Sequence, residues 1–159
     1  MNRAQLEHVL RAAAAIASEN SLVVVGSQAV LLPFPDAPAA LLTSREVDLY
    51  PAIHPERADL IDGAIGALSS FDETFGYHAD GVGPETAVMP ADWMSRASFH
   101  YIDDVTAICP DIHDLGVLLK ERMIDIETLC ERIGALDPSQ QAVESVLAWA
   151  RRRAGEAAA

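Results

Sequence analysis

Cysteine is scarce in this chain of 159 residues. Cys109 and Cys130 sit in separate segments with no metal-type spacing, which excludes a disulfide scaffold and a cysteine-based zinc site and predicts a reduced, cytoplasmic protein. No apolar run approaches the roughly 18 residues that a membrane-spanning helix needs. Positive charge is also in deficit: 11 Lys and Arg stand against 24 Asp and Glu, for a net charge of −13. A domain this acidic has no electrostatic footprint for gripping nucleic acid by itself. Aromatic residues are few, and the two tryptophans, Trp93 and Trp149, read as core or interface residues rather than as stacking platforms. There is no Gly-x-Ser-x-Gly elbow, so His54, His78 and His100 have no hydrolase context. Asp111-x-His113-Asp114 reads as a helix cap with a first-turn histidine. There is no internal repeat and no linker long enough to split the chain.

What is present suits one compact unit with a real core, since half the residues are hydrophobic. Residues 3–18 repeat apolar side chains at helical spacing (Leu6, Val9, Leu10, Ala13, Ala17), and the acids Glu7 and Glu19 mark a mature helix rather than a secretion signal. Leu22–Val25 is a short β-branched run that predicts a buried strand. Gly26 permits a tight turn, and Ser27 is an expected N-cap for a helix over 28–32. Pro33, Pro35 and Pro38 then stiffen a loop. Arg45 to Tyr50 alternates, with Glu46, Asp48 and Tyr50 on one face and Val47 and Leu49 on the other. Pro55 and Glu56 open an expected helix to about Leu68, with Ala58, Ile61, Ile65 and Leu68 inward. Phe71 to Asp80 leads into another strand, and 81–90 is irregular. Two strands, 99–102 and 105–108, flank an Asp103-Asp104 turn. Beyond 110 the pattern is helical: 111–121, 122–133 and, capped by Asp137-Pro138, a helix to about Arg153 whose basic run Arg151–Arg153 offsets its dipole. The expected domain plan is a core over 1–110, C-terminal helices over 111–153 packed on it, and a frayed tail over 154–159. The fold class is α/β, a mixed sheet with flanking helices and a helical C-terminal region.

Two motifs carry chemistry. Gly26-Ser27 lies between a strand and a helix, where free backbone N–H groups and the helix dipole favour an anion such as phosphate. Glu46-Val47-Asp48 puts two carboxylates on one strand face, roughly 6–7 Å apart, in reach of one or two Mg²⁺ or Mn²⁺ ions. Each motif has a purely structural reading as well, an ordinary strand-to-helix turn and a solvated strand face.

The succession of apolar strand, Gly-Ser, helix and acid-x-acid resembles the nucleotidyltransferase superfamily with the DNA polymerase β-type fold. The stretches VVVGSQAVL at 23–31, SREVDLYP at 44–51, FGYHADGVGPETAVMPADW at 75–93 and DIHDLGVLLKERMIDIETL at 111–129 are similar to a bacterial domain-of-unknown-function family of small nucleotidyltransferase-like proteins related to AbiEii-type toxins. The resemblance implies that Gly26 and Ser27 hold a nucleoside triphosphate and that Glu46 and Asp48 are metal ligands. It also implies a third acid, Asp80 (with Glu85 second), as general base or third ligand. The implied activity is metal-dependent transfer of a nucleotidyl group to an RNA or protein hydroxyl. The implied alternative is a weakly active or inactive interaction module with a cognate protein partner, one half of a toxin–antitoxin pair. The chain departs from the family at Val117, where relatives place a lysine five residues before the arginine of Arg122-x-x-Asp125; the nearest lysine is Lys120.

Overall fold

The computed structural model describes residues 1–37, 42–87, 89, 91–110, 126, 127 and 151. The expected helices over 111–121, 122–133 and 137–153 lie outside the described residues, apart from Ile126, Glu127 and Arg151, which are helical. Val117, Lys120, Arg122 and Asp125 also lie outside them. The chain divides into two compact units, Met1–Ala87 with Trp93–His113, and Val88–Asp92 with Asp114–Ala159. The sheet and its helices belong to the first.

Helix α1 (Arg3–Ala17) begins in a reciprocal cap. The Gln5 N–H donates to Asn2 Oδ1 and the Asn2 N–H donates to Gln5 Oε1, satisfying two amides that the first turn leaves without helical partners. Its apolar stripe, Leu6, Val9, Leu10, Ala13, Ala14 and Ala17, is buried. The helix stops when Ser18 turns left-handed at φ 52°.

Strands β1 (Ser21–Val25), β2 (Glu46–Pro51), β3 (His78–Gly81), β4 (Ser98–Ile102) and β5 (Val105–Cys109) form one mixed sheet in the order β3-β2-β1-β5-β4. β1 is central, antiparallel to β2 and parallel to β5. That placement explains why Leu22–Val25 is apolar throughout, because a strand with neighbours on both edges and packing on both faces has no solvated side. The β4–β5 hairpin closes at Asp103 and Asp104, as expected, with Asp103 at φ 56°.

Helix α2 (Ala58–Ile65) carries the chain from β2 to its parallel neighbour β3. It passes so close to β3 that a Cβ on Gly81 would fall 2.0 Å from the Ala58 carbonyl oxygen. Only glycine permits that approach. On this side of the sheet Val47, Leu49 and Ala79 are buried. Val23, Val25, Tyr50, Ala58 and Ile108 form one buried cluster, with Trp93, Ala97 and Val82 packed against it.

Three local expectations change. The helix from Pro55 is shorter than its apolar spacing suggests: a 3₁₀ turn (Pro55–Arg57) leads into α2, and Gly66 caps it. Leu68 then takes φ 64° in the following turn and is 89% exposed, not inward. The approach to β3 holds a short helix, α3 (Ser70–Phe75), which Ser69 caps by accepting the Asp72 N–H. After β1 the chain forms a 3₁₀ helix, Ser27–Leu31, whose N-cap is Gly26 and which has no side-chain cap. Ser27 is therefore its first residue and not the capping one.

Candidate metal centre

Parallel pairing of β2 with β3 aligns Glu46 with His78 and Asp48 with Asp80. In-register residues of adjacent strands share a face, so the alternation that puts Val47, Leu49 and Ala79 into the core puts these four polar side chains together on the other side. β3 is an edge strand, and the group sits at that margin of the sheet. Asp80 is thus the acid that joins Glu46 and Asp48. Glu85 lies in a separate 3₁₀ turn, Pro84–Thr86, and is exposed.

The donors that converge are not the expected three acids. Glu46, His78 and Asp80 each offer an atom within 4.8 Å of the others and could hold a metal ion. His78 Nε2 lies 3.6 Å from Asp80 Oδ1 and 4.0 Å from Glu46 Oε2. Asp48 is not in this set, because its carboxylate turns toward β1. Val25 pairs with Asp48 across the strands, and the next residue, Gly26, bends away at φ 74°. A Cβ on Gly26 would lie 2.5 Å from Asp48 Oδ2. The glycine of the Gly-Ser turn makes room for the second acid of the acid-x-acid pair.

Crowding of like charge shows in the acids themselves. Burial, then the charges of Asp80 and Glu46, pushes the Asp48 carboxyl above its ordinary range. The Asp80 carboxyl is raised as well, chiefly by burial; His78 opposes that rise, and Glu46, Asp62 and Asp72 add to it. A bound cation would relieve both. The donor set, two carboxylates and an imidazole on one sheet face, therefore fits a divalent ion.

His78 was not among the expected ligands, and it is 9% exposed. Its Nδ1 lies 3.2 Å from Asp72 Oδ1. Asp72 is held in turn by the Leu68 N–H on Oδ2 (3.2 Å) and by Arg45 Nη2 on Oδ1 (2.9 Å). Arg45 Nε donates to the Gly76 carbonyl at 2.7 Å, fixing the guanidinium. The Leu68 hydrogen bond, followed by His78 and Arg45, keeps the Asp72 carboxyl below its usual range. The signal in the sequence was His78-Ala79-Asp80, the same i, i+2 spacing that marks Glu46 and Asp48. Nothing local in the sequence announces Asp72 as its partner.

Comparison with protein-family models, with curated proteins and with solved structures found no match. Among the described residues no helix is long and apolar enough to cross a membrane.

Proposed function

We propose that this chain is a metal-dependent nucleotidyltransferase-like protein that moves a nucleoside monophosphate from a nucleoside triphosphate to a hydroxyl acceptor. The observation that carries the reading is the array of Glu46, Asp48, His78 and Asp80 on one sheet face, beside the Gly26-Ser27 turn. Mg²⁺ or Mn²⁺ bound there would neutralise charge on the triphosphate and on the departing pyrophosphate.

Glu46, His78 and Asp80 would hold the ion. Asp48, outside that set and with a raised carboxyl pKa, is the group suited to take the acceptor's proton. The acceptor oxygen attacks the α-phosphorus, a new P–O bond forms, and the bond to pyrophosphate breaks. Gly26 and Ser27 would lie against the triphosphate, with the backbone and the serine hydroxyl as donors. Their element is a five-residue 3₁₀ turn, so local hydrogen bonds rather than a long helix dipole would do the binding.

Replacing both Glu46 and Asp48 with alanine tests the proposal. Metal-dependent triphosphate binding should disappear and pyrophosphate release should fall roughly 100-fold or more, with the circular dichroism spectrum retained. Unchanged nucleotide binding in a folded double variant refutes the catalytic reading and leaves the interaction module.

A further inference from the structure

We infer that His78 is itself a metal ligand, and that Glu46, His78 and Asp80 form a one-nitrogen, two-carboxylate site that takes a divalent transition-metal ion in preference to Mg²⁺. The inference rests on the metal-binding part of the function proposed above and is independent of the nucleotide. Its first support is the set of partners around the ring. Asp72, held by Arg45 and the Leu68 N–H, lies 3.2 Å from Nδ1, which leaves Nε2 as the ring nitrogen on the side of Asp80 and Glu46. Nε2 lies 3.6 Å from Asp80 Oδ1 and 4.0 Å from Glu46 Oε2, beyond hydrogen-bond distance of either, in a side chain about nine-tenths buried. One ring nitrogen and two carboxylates thus converge on one point of the sheet face. A cation completes such a group.

The distances suit an ion. Donors about 2.0–2.2 Å from a metal stand up to roughly 4.2 Å from each other, and the two nitrogen–oxygen separations, 3.6 and 4.0 Å, fall within that span. The side chain of Glu46, the most exposed of the three ligands, can swing to close the set. An imidazole nitrogen draws Mn²⁺, Co²⁺ or Zn²⁺ more than Mg²⁺, which prefers oxygen donors and retained water. Asp72, behind the ring on its Nδ1 side, is placed to orient the imidazole. Arg45 and Asp72 are thus positioning residues, and the turn that ends α2 exists in a form that presents the Leu68 N–H to Asp72.

The test uses the full chain, stripped with a chelator and reloaded with Mn²⁺, with electron spin-echo modulation to detect ¹⁴N in the coordination shell and Mg²⁺ competition to rank affinity. The wild type should show directly bound imidazole nitrogen and hold Mn²⁺ about tenfold or more tighter than Mg²⁺. In His78→Gln the nitrogen modulation and the preference should both vanish. Asp72→Asn should keep the modulation and weaken Mn²⁺ binding by about 10- to 100-fold. Bound Mn²⁺ without ¹⁴N modulation in the wild type overturns the inference, as does the absence of Mn²⁺ binding. Both readings come from the wild type and survive a His78→Gln variant that fails to fold. Nitrogen modulation in a protein that releases no pyrophosphate would refute the proposed catalysis and leave this site standing. Mg²⁺-supported pyrophosphate release without modulation would do the reverse.

Discussion

Alanine at position 26 would test the central joint of the site. Gly26 sits at φ 74° and ψ −173°, a region that L-residues essentially never occupy. Holding alanine there costs about 1–3 kcal/mol. The new methyl would also stand 2.5 Å from Asp48 Oδ2, so the carboxylate must retreat by roughly 1 Å to reach ordinary van der Waals contact. For a chain of this size each kcal/mol shifts the melting temperature by about 2–4 °C, so Gly26→Ala should lower it by roughly 2–12 °C. Gly63 is the matched control: it lies in α2, is exposed, and a Cβ there meets nothing within 4 Å. Gly63→Ala should therefore stabilise by about 0.5–1 kcal/mol through helix propensity and reduced freedom of the unfolded chain. Thermal and urea unfolding, followed by circular dichroism, read both. In an Asp48→Ala background the Gly26→Ala cost should shrink, because the steric part is gone and the backbone part remains. A Gly26→Ala variant that melts at or above the wild type, or equal effects at positions 26 and 63, would refute the reasoning.

Asp48→Asn should stabilise the metal-free protein at pH 7. The folded-state pKa of Asp48 is raised above its ordinary 3.8, so the native state binds the proton more readily than the unfolded chain, and stability falls as pH rises from about that value through the folded pKa. Removing the charge opposite Asp80 should recover roughly 0.2–1 kcal/mol. The gain should fade below the unfolded aspartate value, and a metal-free Asn variant less stable than wild type at pH 7 would contradict the account. Glu19→Ala should cost about 1–3 kcal/mol, because the buried Glu19 carboxylate accepts the Ile53 N–H at 2.7 Å and the His54 N–H at 3.0 Å. Amide exchange at Ile53 and His54 should accelerate; unchanged protection at both would count against it.

Much of the architecture was legible because it rests on short-range patterns. The 3.6-residue spacing of Leu6, Val9, Leu10, Ala13 and Ala17, the β-branched run before Gly26 and the alternation of Arg45 to Tyr50 each report a single element burying one face. Leu68 misled because its spacing continues the stripe of Ala58, Ile61 and Ile65. Gly66 ends the helix first, and spacing cannot register a cap that turns the chain away. Ser27 misled in a similar way: a serine after glycine looks like a cap, but the turn at Gly26 is set by the need to clear Asp48.

The site divides along the same line. The acid-x-acid pair and the Gly-Ser turn were visible in the sequence alone, since the residue types and their spacing on one strand or turn determine which side chains share a face. Asp80 was proposed from its place after the helix that follows β2. What only the tertiary structure decided was the register, which sets Glu46 beside His78 and Asp48 beside Asp80. A shift of one residue would have sent His78 and Asp80 to the buried face. Tertiary packing also brought Asp72, Arg45 and the Leu68 amide behind the imidazole, across separations of 6 to 33 positions that no periodicity records. Local sequence determined which face each acid occupies. The pairing of two strands determined that a histidine, and not the second acid of the pair, completes the group of donors.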